Sequence, residues 1–345
     1  MSTSRRALPR RTIGLFVEPL CRHLALAALD LQGQCFSGRI AHIGRAACAL
    51  PDELREGLAA AIDDQAVPPS QLADLSARLA EFEAEAVHQF LRSGVPSSAN
   101  AEPLLLAVWE PHVRHAAGRP WQSVLSLGDS VRLAELTGLN VLDGCEARRV
   151  AARSDPASMD NVALWILLHS AKRDRVYLEW GDQLRVVLLP AGCEASAAGR
   201  VSVRTIEGGA ALHSDAASSS DLAWRVVDVL RRLVPQSPNP VQLLVRFQGE
   251  DDTPLVEEIL RLAPFAEPLD WRHVRVLPDD LDAAVTAAMG LLFLDHLPQA
   301  PDATDLTHGP RLLGRLTPGS ILNWHRLLEH TAASLPENVP LRAAV

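Results

Sequence analysis

The stretch "SLGDSVRLAELTGLNVLDGCEARRVAARSD", Ser126–Asp155, sets a helix and a strand back to back. Asp129 can cap a helix running to Leu136, because its short carboxylate accepts from the first free backbone N–H groups. Gly138 ends that helix, since glycine adopts the left-handed conformation of a C-terminal stop. Residues 139–142 then read as a strand, and residues 157–170 as the next helix.

The same alternation extends outward in both directions. Upstream, residues 13–17 and 24–31 form an apolar hairpin turning back at Gly33, with a third extended segment over 35–43. A helix over 51–62 opens on Pro51 with acids beside it. A longer helix over 70–92 carries the stripe Leu72, Leu75, Leu79, Phe82, Ala86 and Phe90 and stops at Gly94. Residues 104–109 are almost continuously apolar, as in a strand buried on both faces. Downstream, strands are expected over 175–180, 183–189, 201–206, 241–247, 274–277 and 312–316. Helices are expected over 221–233, 253–262, 280–294 and 321–330. Each half therefore runs β-β-β-α-β-α-β-α, which predicts an α/β protein of two tandem lobes around a central cleft. The expected boundaries are a disordered basic head over 1–11, lobes over 12–173 and 174–335 (the last helix able to pack back on the first lobe), and a frayed tail over 336–345.

Composition narrows the classes of partner. The chain has 345 residues and a net charge of −9, which gives no electrostatic reason to expect nucleic acid or an anionic membrane. The five cysteines, at positions 21, 35, 48, 145 and 193, form no C-x-x-C and no zinc-ligand spacing. They read as reduced thiols of a cytoplasmic protein. "MSTSRRALPRR" is not followed by the apolar core of a signal peptide, and no apolar run approaches the ~20 residues of a membrane span.

The lobe layout resembles the actin/Hsp70/sugar-kinase superfamily. The opening stretch sharpens this to a resemblance to the anhydro-N-acetylmuramic acid kinase family. Its pattern L-Q-x-G-D-x-x-x-I-A-E-x-T-G-I-x-V-V falls without a gap on Leu125, Gly128, Asp129, Ala134, Glu135, Thr137, Gly138 and Val141, with Ala151 matching beyond it. "HVRHAAGRP" keeps Val113 and His115 of a further family segment, "EWGDQLRVVLLPAG" keeps Gly181, and "TDLTHGPRLLGRLTPG" keeps Thr307, Leu313 and Gly314. The resemblance covers residues 13–319. It implies ATP- and Mg²⁺-dependent opening and phosphorylation of a 1,6-anhydro amino sugar in peptidoglycan recycling.

The positions that would carry this chemistry are substituted. The family's G-L-M-S-G-T-S-L-D-G-V-D keeps Gly14 and Leu15, but its S-G-T-S core becomes Val17, Glu18, Pro19 and Leu20, and its two acids become Arg22 and Ala25. Pro19 removes a backbone donor, and Glu18 would repel a phosphate. The aspartate of F-D-T-G-P-G-N, the base the resemblance implies, becomes Ile206, with Glu207 one residue away as a fallback. A second carboxylate position becomes Val285. The nucleotide box C-G-G-G becomes Arg246, Phe247, Gln248 and Gly249, and N-I-G-G becomes Glu179, Trp180, Gly181 and Asp182. The D-F-R-x-x-D box becomes Gly144 to Arg149. Sugar-side candidates are His115, Asp129 and Arg149.

These substitutions predict a kinase-like protein without transfer chemistry, of pseudokinase type. It would keep a small sugar-like ligand in the cleft or act through a dimer or partner surface, with no assigned cofactor or metal. The alternatives are a divergent active kinase with ATP and Mg²⁺, Glu207 as base and Asp129 or Asp182 near the metal, or another cleft-based enzyme on the same scaffold. The H-x-x-H of His112 and His115 could hold a metal if helical, but lacks a third ligand.

Overall fold

The computed structural model describes residues 10–33, 35–36, 38–63, 67–93, 95, 102–115, 123–151, 159–180, 184–193, 201–206, 219–234, 239–247, 253–297 and 314–334. In chain order these form β1 (Arg10–Val17), β2 (His23–Gln32), β3 (Arg39–Ala49), α1 (Asp52–Ile62), α2 (Pro69–Ser93), β4 (Pro103–Trp109), β5 (His112–His115), β6 (Ser123–Ser126), α3 (Ser130–Thr137), β7 (Val141–Asp143) and α4 (Cys145–Ala151). Next come α5 (Met159–Leu168), β8 (Arg175–Trp180), β9 (Leu184–Leu189), β10 (Ser202–Ile206), α6 (Ser219–Leu233), β11 (Val241–Phe247), α7 (Thr253–Leu262) and β12 (Ala266–Pro268). The last elements are α8 (Leu281–Leu294), β13 (Arg315–Thr317) and α9 (Ile321–Ser334). Among the described residues no helix is long and apolar enough to cross a membrane.

The chain divides into two compact units, Met1–Asp155 with Asp282–Val345, and Pro156–Leu281. It leaves the first unit after residue 155 and re-enters it at 282, where the sequence reading placed one boundary at 173/174. Residues 336–345, expected as a tail, and residue 94, expected as a helix stop, lie outside the described residues.

The first unit is built on a sheet of order β13-β7-β4-β1-β2-β3. β1, β2 and β3 are antiparallel neighbours, β4 runs parallel to β1, and β7 runs parallel to β4. Ile13, Leu15, Val17, Leu106 and Val108 join residues of α1, α2 and α3 in one core. On the opposite face Thr12 Oγ1 donates to the Ala287 carbonyl at 3.0 Å, and a Cβ at Gly14 would overlap the backbone of Ala283 and Ala287. Gly14 thus lets α8 lie against the strand. α9 is tied on by Asn323, which donates from Nδ2 to the Pro103 carbonyl at 2.8 Å and accepts from the Asn140 N–H at 2.9 Å. Arg10 and Arg11, expected in a disordered head, are buried in β1: Arg10 pairs with Asp295, and Arg11 binds Asp30 at 2.8 and 3.0 Å.

The second unit repeats the strand pattern as β10-β9-β8-β11-β12. Val176, Leu178, Leu184, Val186, Leu188 and Leu243 face α6 and α7 in its core. The strand expected over 274–277 does not form. Asp270 caps a short 3-10 turn at Trp271–His273, whose Trp271 Nε1 donates to the Val245 carbonyl at 2.8 Å. The strand beside β11 is instead β12, parallel to it from Val241↔Ala266 to Leu243↔Pro268.

Candidate functional site

In sheets with parallel strands, ligands are held at the carboxyl ends of the strands. Each unit supplies such ends, and several of the sequence-predicted positions lie at or next to them.

β1 ends at Val17, which is buried. The turn that follows closes on itself. The Glu18 N–H donates to the His23 carbonyl at 3.1 Å, and the Cys21 N–H to the Glu18 carbonyl at 2.7 Å. Pro19 has no N–H to offer, Leu20 projects into solvent, and Cys21 is buried with a left-handed backbone, φ 55°. The Glu18 carboxylate is gripped by the Arg22 guanidinium, with Nε at 3.0 and 3.1 Å, and by His23 Nδ1 at 3.1 Å. Burial alone would push this carboxyl up. The hydrogen bonds from Arg22 and the charges of His23 and Arg22 outweigh it and hold it below the usual range. Burial, with the Glu18 charge beside it, raises the Cys21 thiol to about 11, so it stays protonated. Ala25 is buried within β2.

The carboxyl ends of β4 and β7 hold groups that the sequence reading did not single out. Glu110 follows β4 directly and is buried. Its Oε2 accepts from Ser126 Oγ, while its Oε1 is buried without a hydrogen-bond partner. Gly128 is explained by this neighbour, because a Cβ there would overlap the Glu110 carboxyl. Asp129 caps α3, accepting from the Arg132 N–H at 2.9 Å. Asp143, at the end of β7, is buried and held by Arg315 of β13 through Nε at 3.1 Å and Nη2 at 2.5 Å; the same Nη2 reaches Ser130 Oγ at 3.1 Å. Burial raises the Glu110 carboxyl to about 7; the Ser126 hydroxyl and Arg315 oppose this, and Asp143 and Asp129 add to it. A second acid, Glu83, lies wholly inside the core stripe of α2, and neither of its oxygens has a hydrogen-bond partner. The stripe runs Leu75, Leu79, Glu83, Val87, Phe90. The expected members Phe82 and Ala86 are only half-buried at its edge. A glutamate is the last letter that a hydrophobic pattern would select.

In the second unit Ile206 ends β10 in register with Leu184 and belongs to the apolar core. Arg246 and Glu179 are register neighbours on β11 and β8, and Glu179 and Arg185 on β8 and β9. Arg246 Nη1 lies 3.3 Å from Glu179 Oε1, and Arg185 Nη1 3.3 Å from Oε2, with Arg185 Nη2 also donating to Asn161 Oδ1 at 2.7 Å. Phe247 and Trp180 are register partners on the opposite face, both packed against the core, and Trp180 Nε1 is buried without a partner. Val285, within α8 of the first unit, is buried.

His112 Nε2 lies 4.0 Å from Glu146 Oε1. His112 and His115 fall on a strand, not a helix, so the helical metal pair considered for the H-x-x-H does not form. Arg149 is a residue of α4. Gly181, Asp182, Glu207, Gln248, Gly249, Thr307 and Leu313 lie outside the described residues. Among the described residues no group of three or more His, Cys, Asp or Glu could hold a metal ion.

A family model described as anhydro-N-acetylmuramic acid kinase matches residues 23–198. No curated protein matches the chain. Among solved structures, the inorganic polyphosphate/ATP-glucomannokinase from Arthrobacter sp. strain KM aligns over 82% of this chain and 98% of its own, with 12% identity and a TM-score of 0.36.

Proposed function

The chain belongs to the anhydro-N-acetylmuramic acid kinase family, and from that premise we propose that it is a member without ATP-dependent transfer chemistry, serving as a binding or regulatory protein linked to cell-wall sugar recycling in the cytoplasm. We take its two units as the lobes of the actin/Hsp70/sugar-kinase layout, with a small sugar-like molecule as the ligand.

The turn after β1 carries this reading. Phosphoryl transfer needs backbone donors around the phosphates, a carboxylate-held metal and a base aimed at the nucleophile. The N–H groups of Glu18 and Cys21 are spent inside the turn, and Pro19 offers none. The turn's one carboxylate is engaged by Arg22 and His23. Arg22 and Ala25 stand where the family resemblance places acids, so the described residues fit Mg²⁺·ATP poorly here. The base position Ile206 and the second carboxylate position Val285 are both buried and apolar, which supports the same reading. Phe247, where the resemblance places the first glycine of C-G-G-G, packs against the apolar core instead.

The test is turnover. Purified protein is incubated with ATP·Mg²⁺ and 1,6-anhydro-N-acetylmuramic acid, and sugar phosphate is measured. The expected rate equals that of the protein-free control. Turnover that Glu207→Gln abolishes would contradict the proposal and establish the divergent-kinase alternative.

A further inference from the structure

Two acids in the first unit sit where acids are costly. Glu83 lies between Leu79 and Val87 on the core face of α2, with both oxygens buried and unpartnered. Glu110 has one oxygen on Ser126 and one buried and unpartnered. A buried carboxylate without a cation or donors is strongly disfavoured, and the group protonates instead. Burial raises both, and the Glu110 charge raises Glu83 further.

We propose that Glu83 and Glu110 form a buried acid pair that stays protonated below neutral pH, and that losing a proton as pH rises loosens the Gly128 turn and the first turn of α3, a pH-operated device built into the first unit. The mechanical link is direct. The Glu110 carboxyl occupies the space over Gly128, and the next residue, Asp129, caps α3. Ionised Glu110 draws water toward Oε1, which parts the carboxyl from the Gly128 backbone or α2 from the sheet.

Among the described residues, none supplies a cation within hydrogen-bond reach of Glu83. In the core shared with α2, α1 contributes Leu54 and Leu58, β2 contributes Leu24 and Leu26, β3 contributes Ala46 and the thiol of Cys48, and α3 contributes Leu133 and Ala134. The ion pairs that α2 makes with α1 and α3, Arg78–Glu53 and Arg132–Glu81, are exposed, and His88 meets the Leu136 carbonyl. Around Glu110, β7 brings Asp143, the α3 cap brings Asp129, β13 brings Arg315 and β6 brings the Ser126 hydroxyl. Arg315 already serves Asp143.

The sign follows from linkage. In the unfolded chain both acids titrate near about 4.3. Below that pH both states hold the protons and the pair carries no penalty. As pH rises through the window up to the raised native values, about 7 for Glu110, the native state retains protons that the unfolded chain has released. Stability therefore falls with pH across that window.

The experiment follows thermal midpoints from about pH 5 to about pH 8 for the wild type, Glu83→Gln and Glu83→Leu, with the leucine completing the α2 stripe. The wild-type midpoint is expected to fall by about 5 °C or more across the range, and Glu83→Leu to remove at least half of that fall. Infrared spectroscopy at about pH 6 should show the C=O stretch of a buried protonated carboxyl, diminished in both variants. Amide exchange of Leu133 and neighbouring α3 residues should accelerate with pH more in the wild type than in Glu83→Leu, beyond the intrinsic dependence. A wild-type pH profile parallel to that of Glu83→Leu, or the lack of the protonated-carboxyl band, would overturn the proposal.

Discussion

The two units share a core of three antiparallel strands followed by two parallel ones, to which the first unit adds the antiparallel edge strand β13, yet they treat a glutamate near the strand ends in opposite ways. In the second unit Glu179 is flanked by Arg246 and Arg185, both at 3.3 Å. In the first unit Glu110 has a hydroxyl on one oxygen and nothing on the other, and Glu83 nearby has neither oxygen bonded. The topology fixes where the strand ends lie, but the local partners decide how a glutamate there is compensated. Compensated, it is a structural ion pair; uncompensated, it becomes a proton store. Neither arrangement resembles an open phosphate cradle.

The largest expected effect tests the packing that holds the first unit's sheet between helices. Gly14→Val drives two methyl groups into the α8 backbone and should cost about 3 kcal/mol or more, seen as a lower denaturation midpoint. A near-neutral result would place α8 elsewhere. Next, Arg246→Met leaves Glu179 with Arg185. Breaking a buried pair typically costs about 3–5 kcal/mol, and the residual exposure of these side chains brings the expectation to about 2 kcal/mol. An unchanged midpoint would remove the contrast between the units. The smallest effect is Gly128→Ala, which sets a methyl against the Glu110 carboxyl and should cost about 1–2 kcal/mol. Adding Glu110→Ala should recover most of that loss in a double-mutant cycle, whereas additive losses would separate the two residues.

Much of this fold was legible in the sequence. The apolar runs of β4 and β11 marked buried strands, and Asp129 and Gly138 marked both ends of α3, where the cap accepts from Arg132 and the glycine takes φ 70°. The strand expected over 274–277 failed because its apolar letters compete with the Asp270 cap and the Trp271 anchor. β12, with a proline at its end, carries almost no strand signal. Gly14 read as a remnant of a phosphate loop, and its packing against α8 could not be seen without the partner helix. Glu83 and Glu110 were missed because pattern reading assigns charged letters to the surface. Only the interruption of the leucine stripe at Glu83 could have flagged one of them. The substitutions at Val17–Leu20 were legible as letters, but the closure of that turn by its own hydrogen bonds was not.

The turn after β1 spends the N–H groups of Glu18 and Cys21 on its own carbonyls, which supports the proposal that no nucleotide phosphate is held there. The most direct test of this proposal is isothermal titration of ATP·Mg²⁺ into the full-length protein. The account predicts no saturable heat at millimolar nucleotide. Stoichiometric binding that is weakened by substitution in the 17–22 turn would contradict it.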